Sequence, residues 1–308
     1  MSALLVAALA ATACRDTTAP QAEAPAYDLI FESTASPLEN QSQLFRLANG
    51  ATTPVPLLGA GQYAAQPKVS ADGRWVVFMA PEPSSLEDAV WLARTDGTMR
   101  RQVFASLGSA LLRPAPSPDG SRIAFQMYDE SMSFSRIWIV DANGTNAHAI
   151  TTATHDAPYV HVAPAWSPDG SKLAMAVGTP GNLGLAIVSV DGGAVTTLTQ
   201  PTSGSDTEPS WSPDGSHLVF VHSATPAQAD VITLDLATGE RRTLYTGNGR
   251  HPAWSPAGNL IAFSARLNGE PNELFVISPS GGTAQRITTN EVADRHPNWV
   301  PRRMYALD

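Results

Sequence analysis

The feature that most narrows what this chain can become is a phrase it repeats. The clearest copy is Ala165-Trp166-Ser167-Pro168-Asp169-Gly170, followed by Ser171-Lys172-Leu173-Ala174-Met175. A close copy runs from Ser210-Trp211-Ser212-Pro213-Asp214-Gly215 to Leu218-Val219-Phe220. Others carry Ser117-Pro118-Asp119-Gly120, Ser255-Pro256-Ala257-Gly258 and the looser Ser70-Ala71-Asp72-Gly73. A clipped copy, Pro297-Asn298-Trp299-Val300-Pro301, stands near the end. Each copy opens on a proline: Pro67, Pro114, Pro164, Pro209, Pro252 and Pro297, spaced by 47, 50, 45, 43 and 45 residues. A period of roughly 40 to 50 residues is the mark of a repeat architecture.

The chemistry of the phrase is that of a β-hairpin. Trp before the turn and the aliphatic and aromatic run after it favour strands. Between them, Pro pre-sets the first central position of a type I turn, Asp suits the second, and Gly takes the left-handed position that follows. The aspartates of the phrase are therefore read as turn formers, not as a ring of catalytic acids. The leading proline has no N–H for a ladder, so it is expected at the first residue of an edge strand.

A second pattern follows each hairpin: an apolar strand, a tight turn, then a mostly polar strand with an apolar end. Ile137-Trp138-Ile139-Val140 leads to Asn143-Gly144, Leu185-Ala186-Ile187-Val188 to Gly192-Gly193, and Leu274-Phe275-Val276-Ile277 to Gly281-Gly282. The closing strands end in Ile150-Thr151, Leu198-Thr199, Leu244-Tyr245 and Ile287-Thr288. Four short strands per repeat describe a β-propeller blade. The two ends are incomplete in opposite ways. The last phrase supplies one strand. The start supplies three, at Leu29-Ile30-Phe31, Leu44-Phe45-Arg46-Leu47 and Val55-Pro56-Leu57-Leu58. An open array exposes strand edges, and a ring removes them. The expectation is an all-β, six-bladed propeller over 27–308, four strands per blade, with N- and C-terminal strands sharing the last blade.

These Trp-Ser-Pro-Asp-Gly phrases and the Ile-Ala-Phe-like strands after them resemble the propeller repeat of TolB-type proteins, over about residues 27 to 304. The resemblance implies a propeller and, by extension, a partner in a cell-envelope complex. TolB itself carries an α/β domain before its propeller, for which this sequence has no room. Some lyases that share this propeller type hold a metal near the axis.

Ahead of the repeats, Leu4 to Ala10 form an apolar stretch too short to span a bilayer. Small residues and then Cys14, the one cysteine in the chain, follow it. This resembles a bacterial lipoprotein signal, in which Cys14 would be lipidated; an ordinary signal peptide with a chance cysteine is the alternative. Residues 15–26, rich in Ala and Pro, read as a flexible tether. Arg15 after the cysteine does not resemble an inner-membrane retention signal, so the periplasmic face of the outer membrane is the expected location. A net charge of −9 disfavours nucleic acid and anionic membrane as partners, which leaves the lipid anchor as the link to membrane. A monomer is expected.

In a propeller, the returns from outer strand to next inner strand form the mouth of the central channel. Here they carry Arg113; His155, Asp156, Tyr159 and His161; Asp206 and Glu208; Arg250 and His251; and Asp294, Arg295 and His296. Three readings of this set stand. The groups line a hydrated channel and pair, for example Asp294 with Arg250 or Asp206 with a histidine. They dock a protein or peptide ligand. Or histidine and carboxylate hold a divalent metal, although no local ligand spacing points to one. Motifs for a nucleophile elbow, a zinc-binding helix or a phosphate loop are absent. Gly59-Ala60-Gly61-Gln62-Tyr63-Ala64 matches a dinucleotide fingerprint only on paper, since no helix follows. No catalytic residue, metal or cofactor is therefore assigned. The expected function is a non-enzymatic, envelope-tethered scaffold. The alternative is a metal-assisted carbohydrate-active enzyme or oligosaccharide binder.

Overall fold

The computed structural model describes residues 27–34, 42–59, 61–82, 87–129, 134–152, 159–225, 227–267 and 269–301. The signal-like segment, the tether, Cys14, His155 and Asp156 lie outside the described residues. The described residues carry 24 β-strands. The first are β1 (Tyr27–Thr34), β2 (Ser42–Leu47) and β3 (Val55–Pro56). Then come β4 (Ala65–Val69), β5 (Trp75–Pro81), β6 (Asp88–Arg94) and β7 (Arg101–Phe104). Next are β8 (Leu111–Pro116), β9 (Arg122–Tyr128), β10 (Ser135–Asp141) and β11 (His148–Ala149). They are followed by β12 (Val160–Trp166), β13 (Lys172–Thr179), β14 (Asn182–Ser189) and β15 (Thr196–Thr197). After these run β16 (Ser205–Trp211), β17 (His217–Thr225), β18 (Gln228–Asp235) and β19 (Arg241–Tyr245). The last are β20 (Gly249–Trp254), β21 (Ile261–Arg266), β22 (Asn272–Ile277), β23 (Gln285–Arg286) and β24 (Asp294–Pro301).

Strands of one repeat pair antiparallel in chain order. Thus β4–β7, β16–β19 and β20–β23 are four-stranded sheets, while β8–β11 and β12–β15 join through one parallel bridge, Ser135 to Val160. The remaining sheet runs β24-β1-β2-β3 and unites the two ends of the chain, with Leu29 opposite Trp299. The first strands of the units touch in the order β4, β8, β12, β16, β20, β24, and β24 touches β4.

The turn of the repeated phrase is built as its residues require. In the Ser117 copy, the Gly120 N–H donates to Ser117 O at 2.9 Å, and the Ser117 hydroxyl donates to Asp119 Oδ1 at 2.6 Å. The same Ser-to-Asp bond recurs at Ser70, Ser167 and Ser212. Hydrogen bonds from Ser167 and Ser171 hold the Asp169 carboxyl at about 2. Each glycine adopts a left-handed backbone and sits close to the neighbouring unit. A Cβ on Gly73 would fall 2.8 Å from Pro301 Cδ. Short outer strands are pinned by the threonines that end them: the Ile137, Leu185 and Leu274 N–H groups donate to Thr151, Thr199 and Thr288 Oγ1.

The core lies between sheets. Phe31, Phe78, Phe125, Met175, Phe220 and Phe263 occupy matching second-strand positions and are fully buried. Residues of one strand alternate between neighbours, as period-two geometry demands. Trp299 joins the core cluster of Leu274 and Ala262, whereas Val300 joins that of Val76 and Phe78.

One expectation is corrected. The leading prolines do not begin their strands. Each lies inside one, next to a β-bulge, and the residue before it has a left-handed backbone. The φ values are 53° at Gln66, 54° at Arg113, 55° at Ala163, 57° at Glu208, 54° at His251 and 51° at His296. Register shifts fall at these points in all the first strands. An innermost strand has a free edge, so a bulge there leaves the proline without an N–H to satisfy. Left-handed backbone costs an L-residue about 1–2 kcal/mol, and glycine is exempt. Ala163→Gly is therefore expected to raise stability by about 1 kcal/mol, read as a higher denaturant midpoint at unchanged slope. A lower midpoint would refute the strain.

Candidate functional site

The bulge gathers Gln66, Arg113, Ala163, Glu208, His251 and His296, one residue from each repeat, around a constriction of about 40 Å³ that is also lined by Lys68. The ring is locked by bonds between repeats. The Arg113 N–H donates to Gln66 Oε1 at 2.6 Å, and the His251 N–H donates to Glu208 Oε2 at 2.7 Å. The Gln66 N–H donates to Glu32 Oε2 at 2.9 Å. Arg113 reaches across the Ala163 sector to Glu208 Oε1, with both terminal nitrogens at 3.3 Å. The rings of His251 and His296 lie against each other, their centroids 3.6 Å apart. His251 Nδ1 meets the Ser264 hydroxyl at 3.0 Å, and His296 Nδ1 stands 3.0 Å from Glu32 Oε2.

Burial and pairing compete at every one of these groups. Burial would raise the Glu208 carboxyl, but His251, Arg113 and the His251 N–H outweigh it and hold the group far below the carboxylate range. Burial would also raise Glu32, but His296, the Gln66 N–H and the Ser42 hydroxyl hold it at about 2. His251 goes the other way. Burial and then the neighbouring His296 push it well below the usual imidazole value, so at neutral pH it is uncharged. Burial lowers the Lys68 ammonium to about 8, against the pull of Glu208.

The residues expected at the mouth divide by position. Arg113, Glu208, His251 and His296 stand immediately before the leading prolines and form the ring. His161, Asp206 and Asp294 stand two residues earlier and are buried, as are Ala64 and Leu111 at the equivalent position. These three are corrected from mouth groups to interior ones. The His161 ring meets Ser135 O at 3.2 Å, and burial lowers its pKa. Asp206 is paired with His222 Nδ1 at 2.7 Å and Arg241 at 2.9 Å, which agrees with the expected histidine partner but keeps the pair within one sheet. Asp294 accepts from Asn290 Nδ2 at 2.8 Å, and Arg250 donates to Ser223 Oγ at 2.8 Å, so these two do not pair. Arg250 and Arg295 remain partly exposed at the strand starts. Gln66, Lys68, Ala163 and Glu32 belong to the constriction and escaped the reading of the returns. Among the described residues, no three His, Cys, Asp or Glu side chains gather as a metal would need.

Beyond the constriction, toward the hairpin turns, the channel widens into a vestibule of about 410 Å³ lined by Trp166, Trp211, Trp254, Trp299 and proline rings.

A family model described as the TolB beta propeller domain matches residues 84–229. Among solved structures, TolB from Acinetobacter baumannii superposes with a TM-score of 0.74 at 19% identity, covering 90% of this chain and 67% of that one. The fold is that of the TolB propeller. The same fold recurs in proteins of other names. Hydrazine synthase of Kuenenia stuttgartiensis superposes with a TM-score of 0.71 at 13% identity, over 90% of this chain and 47% of that one. An oligogalacturonate lyase from Vibrio parahaemolyticus gives 0.57 at 16% identity, over 85% and 74%. At such identities the likeness fixes the fold of this TolB-like propeller, and its chemistry must be read from its own channel.

Proposed function

We propose that this TolB-like propeller is a six-bladed closed ring that acts as a non-enzymatic binding scaffold, docking a protein or peptide segment at the mouth above the pre-proline ring. The cyclic contacts of the first strands and the pairing of β24 with β1 support the ring. The observation that carries the function is the constriction itself. Equivalent positions of a repeat, which could all hold one residue, instead hold Gln, Arg, Ala, Glu, His and His, fixed by bonds between repeats. A repeat that diversifies where its side chains meet at the axis presents a fixed, asymmetric set of donors and acceptors. Pre-organised polar groups of this kind supply specificity at low entropic cost.

The tether, the lipidated Cys14 and a periplasmic, outer-membrane position complete the proposal, as does a monomeric state. The test is photo-crosslinking in cells. A photoreactive side chain at Arg295, by the mouth, is expected to yield one discrete protein adduct that Arg113→Ala weakens. The same group at Met99, which is exposed on a turn at the opposite end, is expected to yield none. Equal labelling from both positions, or none from Arg295, would rule the mouth out. Mass spectrometry of the mature N-terminus tests the anchor: an unlipidated Cys14 removes it.

A further inference from the structure

The vestibule at the hairpin end lies on the far side of the constriction from the mouth. Its wall is apolar. Three of its four indoles already donate to the preceding unit, Trp166 to Ala115 O, Trp211 to Ala165 O and Trp299 to Ala253 O, at 2.9 to 3.0 Å. What they offer the cavity is ring surface. The residue after each leading proline lies at the floor: Lys68, Ala115, Ala165, Ser210, Ala253 and Asn298. Five of these repeats place a small or neutral residue there, and one places a lysine. Lys68 is the one charged residue among those that line the vestibule. Among the described residues its ammonium makes no ion pair. The nearest candidate, Glu208, is engaged on one oxygen by Arg113 and on the other by the His251 N–H.

We propose that this vestibule is a binding site for a small amphiphilic carboxylate, its apolar body packed on the tryptophan and proline walls and its carboxylate set on the Lys68 ammonium. A concave, mostly apolar cavity with one placed polar group is the usual form of a small-molecule site, and about 410 Å³ is within the usual range. The constriction narrows the floor to about 40 Å³, so the cavity suits a compact ligand. The charge complementarity is specific: Lys68 is the one cation among the lining residues, and it rewards an anion over a neutral analogue.

Calorimetric titration of the full chain with 2-naphthoate and with its neutral analogue 2-naphthamide tests the site. Naphthoate is expected to bind at least about tenfold more tightly, as a charge-assisted bond predicts. Lys68→Met is expected to erase the difference and Lys68→Arg to keep it, each variant being checked for an unchanged unfolding midpoint. Equal affinities for the two probes in the unaltered chain would overturn the proposal, and that comparison stands even if Lys68→Met fails to fold. A preference for naphthoate that survives Lys68→Met, or no saturable binding at millimolar concentration, would overturn it as well.

Discussion

Truncation before Asp294 abolishes the cooperative unfolding transition. That is the expected result, and its cause is the position of β24. This strand is the partner of β1 along one edge and a packing surface for two neighbours at once. Trp299 fills one side, with Leu29, Phe31 and Ala253, and Val300 the other, with Ile30, Leu44 and Val76. Without β24, two apolar faces and one strand edge lie open together. The single-residue version is Trp299→Ala. The side chain is 5% exposed, its indole donates to Ala253 O, and its ring meets Tyr27 edge-on with centroids 5.8 Å apart. Loss of about 3–5 kcal/mol is expected, as for other buried aromatic truncations. Trp299→Phe is expected to lose less, because it keeps a packed ring and gives up mainly the hydrogen bond. Urea unfolding followed by far-UV dichroism reads all three. A truncated chain that still unfolds cooperatively near the original midpoint would show that the ends do not complete one sheet.

Much of this fold was legible because the phrase repeats. Pro, Asp and Gly act locally, through backbone angles and short hydrogen bonds, so Ser117-Pro118-Asp119-Gly120 reads as a turn without knowledge of its surroundings. The pairing of Leu29 with Trp299 was legible for a different reason: both ends of the chain lacked what the other supplied. The site was legible only in part. Arg113, Glu208, His251 and His296 stood out as polar residues in the returns, but so did His161, Asp206 and Asp294. One rule separates them, the offset from the leading proline. The residue directly before it faces the axis, and the residue two before that faces the interior. The rule is present in the sequence at every repeat, and applied alone it adds Gln66 and Ala163. It could not have been derived from strand alternation, because the bulge breaks the period of two at that point. Lys68 stands out by comparison across repeats, since the other copies hold Ala, Ala, Ser, Ala and Asn. Glu32 had no such signal. It lies in β1, and only the pairing of β1 with β24 brings it to His296 and Gln66.

Glu208→Ala is expected to cost about 3–5 kcal/mol and to reshape the response to acid, because it removes one partner of a buried ionic network. Its carboxylate takes Arg113 on one oxygen and the His251 N–H on the other, and it is the anion that draws the Lys68 ammonium upward. Alanine leaves two cations and an N–H facing one another in the constriction. In the unaltered chain, acid is expected to act in two stages. His251 and His161 are held below their unfolded value of 6.5, so the unfolded state takes up protons first and stability falls as pH drops below 6.5. Glu32 is held at about 2 against 4.5, so its contribution is full above 4.5 and is lost as pH falls toward 2; on its own this is worth about 3 kcal/mol. Glu208 is lowered likewise and adds to the second stage, whereas Asp294, raised by burial, works against it. In Glu208→Ala the second stage shrinks, since a carboxylate that no longer exists cannot be titrated, while the first stage remains because burial still disfavours His251⁺. Denaturant midpoints measured from pH 8 to pH 2.5 on both proteins separate the stages. An unchanged acid limb in Glu208→Ala would mean that the constriction is hydrated enough for its charges to act as surface groups.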